Sequence, residues 1–120
     1  MQPHENTPDT AQSEHSRRIA ALNDRFRQTY WGGKVMTTSG VNELTDDTRA
    51  AVFTAVMQYD DFTEDNDPYG EHDFGKVVVD GQDFFFKIDC YDLTMHFGSD
   101  NPADPAITTR VLTIMLASEY

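Results

Sequence analysis

The segment from Phe74 to Tyr91, FGKVVVDGQDFFFKIDCY, predicts two paired β-strands around which the other elements are arranged. Asp80 and Gly81 separate its two apolar runs, and this dipeptide is typical of tight hairpins. Successive side chains of a strand point to opposite faces of the sheet. The second run therefore predicts a core face made of Phe84, Phe86, Ile88 and Cys90. It predicts a half-polar face made of Phe85, Lys87, Asp89 and Tyr91.

The residues before the hairpin predict two helices and one short strand. Ser16 is a candidate cap for a first helix, in which Ile19, Leu22 and Phe26 have helical spacing. Residues 34–41 are rich in β-branched side chains and predict a short strand. Thr45, followed by two acids, predicts the start of a second helix, whose apolar stripe includes Val52 and Val56.

The residues after the hairpin predict one more strand and one more helix. Residues 93–97 alternate between apolar and polar side chains, which predicts a third strand of the meander. Asp104 and Pro105 form a helix-start signal, and residues 107–116 supply an apolar stripe for a C-terminal helix.

This order of elements predicts the α+β class. We expect one domain over residues 17–120, with a small antiparallel sheet of three to four strands and about three helices packed on it. Residues 1–16 are polar and lack apolar periodicity, so we expect a disordered or frayed N-terminal arm. The single cysteine, Cys90, excludes a disulfide within the chain.

The formal charge of -12 is concentrated in one part of the sequence. Between Asp60 and Asp104 thirteen acids stand against two lysines. A negative field of this kind repels nucleic acid and attracts cationic partners. We therefore expect a protein partner with a basic surface and no direct binding of nucleic acid. No apolar run is long enough to cross a membrane and no signal peptide is recognisable, so we expect a cytoplasmic protein without membrane contact.

The densest acids surround the loop Asn66 to Gly75, NDPYGEHDFG, and we call residues 60–73 the acidic loop. Pro68, Gly70 and Gly75 indicate fixed turns. The candidates for binding a partner are the acids of this loop and its exposed aromatic residue. They are Asp60, Asp61, Glu64, Asp65, Asp67, Tyr69, Glu71 and Asp73.

A metal or acid-base site is the alternative interpretation of the same loop. Its candidate residues are Glu71, His72, Asp73, Asp89, Asp92 and His96. The loop is not an EF-hand, because Lys76 occupies the position that needs a bidentate glutamate. The sequence has no nucleotide or hydrolase motif and predicts no cofactor. A third interpretation is architectural, with the acids binding backbone N–H groups and the arginines of the first helix.

The residues NDPYGEHDFG (66–75), FFKID (85–89), DPA (104–106) and TRVLTIMLA (109–117) resemble domain-of-unknown-function family 3768. The resemblance covers about residues 17–120, including Leu22 to Asp24. Members are short bacterial proteins, often carried on plasmids and other mobile elements, and no activity is known for the family as a whole. The resemblance thus implies a bacterial setting and neither a catalytic residue nor a ligand.

These observations favour one function and leave one alternative. The favoured function is an acidic accessory or inhibitor protein of a mobile element, of the DNA-mimic or anti-defence type, that docks on a cationic surface of a host protein. The alternative is a small metal-dependent or acid-base enzyme that uses Glu71, His72 and Asp73. Pairing of two chains through an open sheet edge would give a homodimer, and the sequence does not decide this point.

Overall fold

A computed structural model describes the backbone of residues 6–120 and the side chains from Ser13 onward. The described helices are α1 (Asn6–Thr29), the short α2 (Ser39–Asn42) and α3 (Asp46–Gln58). The strands are β1 (Lys34–Thr37), β2 (Phe74–Val79), β3 (Gln82–Tyr91) and β4 (Thr109–Leu116). The α+β class is confirmed.

The four strands form one sheet in the order β1-β4-β3-β2. The hairpin β2-β3 is antiparallel, as predicted, and Gly81 occupies its turn with a φ of 74°. Strand β4 is antiparallel to β3, which agrees with the predicted antiparallel sheet, but it is parallel to β1, so the sheet is mixed and contains one pair that the sequence did not predict. The strands β1 and β4 can pair in parallel because α2, α3 and the hairpin lie between them in the chain and provide the long connection that parallel strands need.

The core lies between the helices and one face of the sheet. Phe84, Phe86 and Ile88 face it, which confirms the predicted alternation in β3. Thr45 caps α3 as predicted, since its side-chain oxygen accepts a hydrogen bond from the backbone N–H of Thr48. The core cluster also includes Phe26 from α1, Val52 and Val56 from α3, and Leu112 and Ile114 from β4.

The predicted C-terminal helix is wrong. Asp104 does accept a hydrogen bond from the N–H of Ala106, but the helical turn that follows ends at Ile107. Residues 109–116 form β4, which lies between two other strands and is buried on both faces. A strand of this kind has an almost continuous apolar sequence, and periodicity alone does not distinguish it from a buried helix.

Two further predictions also need correction. The third strand predicted at residues 93–97 is a turn after β3, in which the N–H of Asp92 binds the carbonyl of Phe97. Helix α1 begins at Asn6, ten residues before the predicted start at Ser16, so residues 6–16 of the predicted arm are helical. Residues 1–5 of that arm lie outside the described residues. No described helix is long and apolar enough to cross a membrane.

Candidate functional site

The structure divides the carboxylates of the acidic loop into two groups. Asp67 is buried, and Glu71 and Asp73 are partly buried. The other four are exposed to solvent, and among the described side chains none of them lies within ion-pair distance of a lysine, arginine or histidine. These four are Asp60, Asp61, Glu64 and Asp65. Tyr69 is also exposed, so the predicted partner-binding residues include an outward group of five and an inward group of three.

Internal hydrogen bonds give the outer part of the loop a defined shape. The side chain of Asn66 accepts from the N–H of Thr63 at 2.9 Å and donates to the carbonyl of Asp61 at 2.8 Å. The N–H of Asp67 also binds the carbonyl of Thr63 at 2.8 Å. Asparagine side chains commonly close turns in this way. The exposed carboxylates are thus carried on a turn whose backbone is held in place.

His72 connects the inner part of the loop to α1. Its Nδ1 lies 2.9 and 3.0 Å from the two carboxylate oxygens of Asp24, and a carboxylate only accepts, so Nδ1 is the donor. On the other side, Nε2 lies 3.7 Å from the carboxylate of Asp67, which also accepts from the backbone N–H of His72. His72 has a φ of 56°, a conformation that is uncommon for residues other than glycine. The contacts on both sides of the ring offset the cost of that conformation.

Aromatic packing supports the same histidine. The ring of Phe62 stacks on the imidazole with centroids 4.0 Å apart and planes only 2° from parallel. The guanidinium of Arg27 lies over the Phe62 ring at 5.4 Å and over the Phe86 ring at 5.5 Å. Cations over aromatic faces are attracted by the ring quadrupole. The loop is therefore packed against the core beside β3.

Arg27 joins α1 to the end of α3. Its side chain is 1% exposed and donates to the carbonyls of Val56, Met57 and Tyr59 at 2.9, 3.3 and 2.8 Å. It also forms an ion pair with Asp24 at 2.8 Å. The last carbonyls of a helix lack partners within the helix. Arg27 supplies these partners and at the same time orients the carboxylate that receives His72.

A second buried contact lies beside the first. The amide of Asn23 donates to the carbonyl of Glu71 at 2.9 Å and accepts from Nε of Arg110 at 2.7 Å. One residue of α1 thus links the acidic loop to the central strand β4. Both partners lie far away in the sequence, so this contact exists only in the folded chain.

Burial raises the pKa of the carboxyl groups of Glu71 and Asp73. The negative charge of Asp73 raises the pKa of Glu71 further. The charges of Asp67 and Asp89 likewise add to the effect of burial on the pKa of Asp73. Burial also raises the pKa of the Cys90 thiol, although the charge of Arg110 opposes this effect. These groups form a partly buried acidic cluster next to β3.

Of the other residues of the predicted metal or acid-base site, Asp89 lies near enough to the loop for its charge to affect Asp73, whereas Asp92 and His96 lie after β3. Asp89 forms an ion pair with Lys87 at 2.9 Å. Asp92 accepts from the hydroxyl of Thr94 and from two N–H groups of its own turn, which holds the pKa of its carboxyl below the usual value. His96 is exposed on that turn. Among the side chains described from Ser13 onward, no three His, Cys, Asp or Glu residues are arranged to hold a metal ion.

Sequence reasoning missed the residues of α1 that hold the loop. It considered Arg27 as a ligand for the loop acids, but Arg27 binds Asp24 and backbone carbonyls instead. A buried asparagine and an Asp-Arg pair three residues apart give no distinctive signal in a helix that also carries exposed arginines. The site therefore includes Asn23, Asp24 and Arg27 in addition to the predicted loop.

Comparison with known proteins gives one finding. The model of a family described as a protein of unknown function, DUF3768, matches residues 37–119, which is more than half of the chain. The match begins within β1, whereas the resemblance noted from the sequence began at about residue 17. It covers the acidic loop and the whole β2-β3-β4 part of the sheet but not α1. No curated protein and no solved structure matches the chain.

Proposed function

Since the chain belongs to DUF3768, a family of proteins of unknown function, we propose its role from its own surface. The proposal is a protein-binding accessory protein whose acidic loop docks on a cationic surface of a partner protein. Its setting is the bacterial cytoplasm, and its role is that of an accessory or inhibitor protein of a mobile element. The family resemblance seen in the sequence is the support for this setting.

The observation that carries the proposal is the outward group of the acidic loop. Four carboxylates within six residues, Asp60, Asp61, Glu64 and Asp65, are exposed and have no cationic partner among the described residues. A cluster of like charges repels itself and lowers the stability of the folded chain. A complementary cationic surface removes this repulsion and accelerates the encounter with the partner.

The inward group supports the proposal by holding the loop in place. Asp67 binds the backbone of His72, and His72 binds Asp24 of α1. The loop therefore does not have to be ordered when it meets a partner, and a preorganised surface binds more tightly for the same contacts. Tyr69 adds an exposed aromatic residue of the kind that is enriched at protein interfaces.

The test is a capture experiment with the purified protein as bait in a lysate of cells that carry the gene. The first variant neutralises the loop with Asp60→Asn, Asp61→Asn, Glu64→Gln and Asp65→Asn. The matched control removes the same charge elsewhere on the exposed surface with Glu14→Gln, Glu43→Gln, Asp47→Asn and Asp100→Asn.

We expect a partner that is retained by the original protein and by the control but lost with the loop variant. The purified partner should bind with an affinity that falls steeply as salt is added, because exposed charges are screened. Equal retention by the loop variant and the control would refute docking through this loop. Binding that does not change with salt would contradict its electrostatic basis.

The enzyme alternative has no comparable observation. His72 is directed toward α1 and bound between two carboxylates, and Asp89 is paired with Lys87. Three clefts among the described residues are lined by residues other than Glu71, His72 and Asp73. The geometry of the loop therefore favours a binding surface over a reaction site.

A further inference from the structure

A cleft of about 490 Å³ lies between the second half of α1 and the segment Pro105 to Thr108. Its volume is within the range of sites that bind small molecules. Its lining includes Leu22, Arg25, Phe26, Trp31, Pro105 and Arg110. Two of them are cationic and none is acidic, although the chain as a whole carries a charge of -12.

Arg110 gives this cleft an unusual charge. The residue is 5% exposed, and its guanidinium donates to the side chain of Asn23 and to the carbonyl of Pro102. No carboxylate of the described residues lies within 4 Å of it, and burial lowers its pKa. A buried cation is costly unless an anion is near it. An anion in the cleft would supply the missing negative charge.

Arg25 adds a second cation on the solvent side. It is exposed on α1, and no described carboxylate lies within ion-pair distance of it. Arginine presents its donors in a planar fork that matches a carboxylate. The cleft therefore offers one cation in its wall and one at its mouth.

The remaining lining is largely apolar. Trp31 is 83% exposed, which is unusual for so large an aromatic side chain. It follows the end of α1, where Tyr30 and Gly32 take φ values of 57° and 105°, so the chain turns sharply on both sides of the indole. Leu22, Phe26 and Pro105 complete the apolar wall. An indole beside an apolar cleft can cover the hydrocarbon part of a ligand.

We propose that this cleft binds a small amphipathic carboxylate, a molecule with one anionic group and an apolar body. Arg110 and Arg25 hold the carboxylate, and Trp31, Leu22 and Pro105 contact the body. This site is separate from the acidic loop, and its proposal does not depend on docking of the loop to a protein.

Trp31 is the only tryptophan in the chain, so its fluorescence reports directly on the cleft. The probes are octanoate, octylamine and octanol, which share one alkyl chain and differ in the charge of the head group. We expect octanoate to change the emission of Trp31 with saturation and a Kd of about 1 mM or tighter, as for a ligand of this size. Octylamine and octanol should bind at least tenfold more weakly.

Variants of the full chain test the role of charge. Arg25→Gln should weaken octanoate binding about tenfold, because it removes a charge-assisted hydrogen bond. Lys76→Gln removes one positive charge from β2 and should leave the Kd unchanged. Circular dichroism of both variants would show that they fold, and Arg25 is exposed, so folding should be retained.

Three results would overturn the proposal. The first is no saturable response to octanoate, and the second is equal binding of octanoate and octylamine. The third is a response to a peptide that ends in leucine without a response to octanoate, which would assign the cleft to a chain terminus. Loss of partner capture by the loop variant would affect none of these outcomes, so the two proposals fail independently.

Discussion

Replacing Arg27 by methionine should destabilise the fold because it removes the contacts that join α1 to the end of α3. Arg27 donates to three carbonyls and pairs with Asp24. The contact with Val56 is fully buried, and losing a hydrogen bond from a charged donor costs about 1.5–3 kcal/mol, while the Val56 carbonyl keeps the N–H of Tyr59 at 3.3 Å. The other contacts are partly buried, and water would replace some of them.

The total follows from these contacts and from the fit of the new side chain. Breaking a fully buried ion pair by removing one partner costs about 3–5 kcal/mol, and the Arg27–Asp24 pair lies at or below the lower end because Asp24 is 28% exposed. Nε of Arg27 is already buried without a hydrogen bond, and an apolar side chain at that place recovers part of the cost. We therefore expect the Arg27→Met variant to lose about 3 kcal/mol of unfolding free energy, or roughly 10 °C in Tm.

The measurement is urea unfolding followed by circular dichroism, with Arg49→Met as the control. Arg49 makes a similar set of contacts, with Asp46 and with the carbonyls of Asn42 and Leu44, but its side chain is 29% exposed. The control should lose about 1 kcal/mol or less. Equal losses in the two variants would refute the argument that burial gives Arg27 its importance.

Two further predictions concern the acidic cluster and the central strand. Burial raises the pKa of the Asp73 carboxyl above its unfolded value, so a penalty on the folded state grows as pH rises from the unfolded pKa to the folded pKa, is complete above it and disappears at low pH. Asp73→Asn should thus raise the Tm at pH 7 but not near pH 4. The control Asp100→Asn changes an exposed carboxylate and should alter the Tm little at either pH. A gain in Tm that is the same at both pH values would contradict burial of the ionised carboxylate as the cause. Leu112→Ala in β4 should lower the free energy of unfolding in urea by about 2–5 kcal/mol, since Leu112 is fully buried. The control Leu93→Ala, on the exposed turn, should lower it by less than about 0.5 kcal/mol. Similar costs for the two leucines would contradict the assignment of residues 109–116 to the central strand and of Leu93 to a turn.

The sequence predicted the elements whose signals are local. The Asp80-Gly81 turn, the alternation along β3 and the Thr45 cap of α3 each depend on residues a few positions apart.

The errors arose where the local signal has two structural solutions. Residues 109–116 have the apolar content of a buried helix and of a central strand, and pairing with β1 and β3 selects the strand. Alternation in residues 93–97 suggested a strand, but Asp92 closes a turn there by binding the backbone of Thr94 and His96. Neither choice can be made from a short window of sequence.

The sequence was sufficient to predict an acidic α+β chain with the β2-β3 hairpin, a capped helix and a dense group of acids in residues 60–73. Tertiary structure alone decided what holds that loop, since His72 meets Asp24 and Asn23 meets Glu71 across 48 positions of the chain. It also placed Arg110 in the wall of a cleft, where no carboxylate of the described side chains pairs with it. Such contacts depend on how helices and strands pack together, and packing brings together side chains whose spacing in the sequence carries no signal.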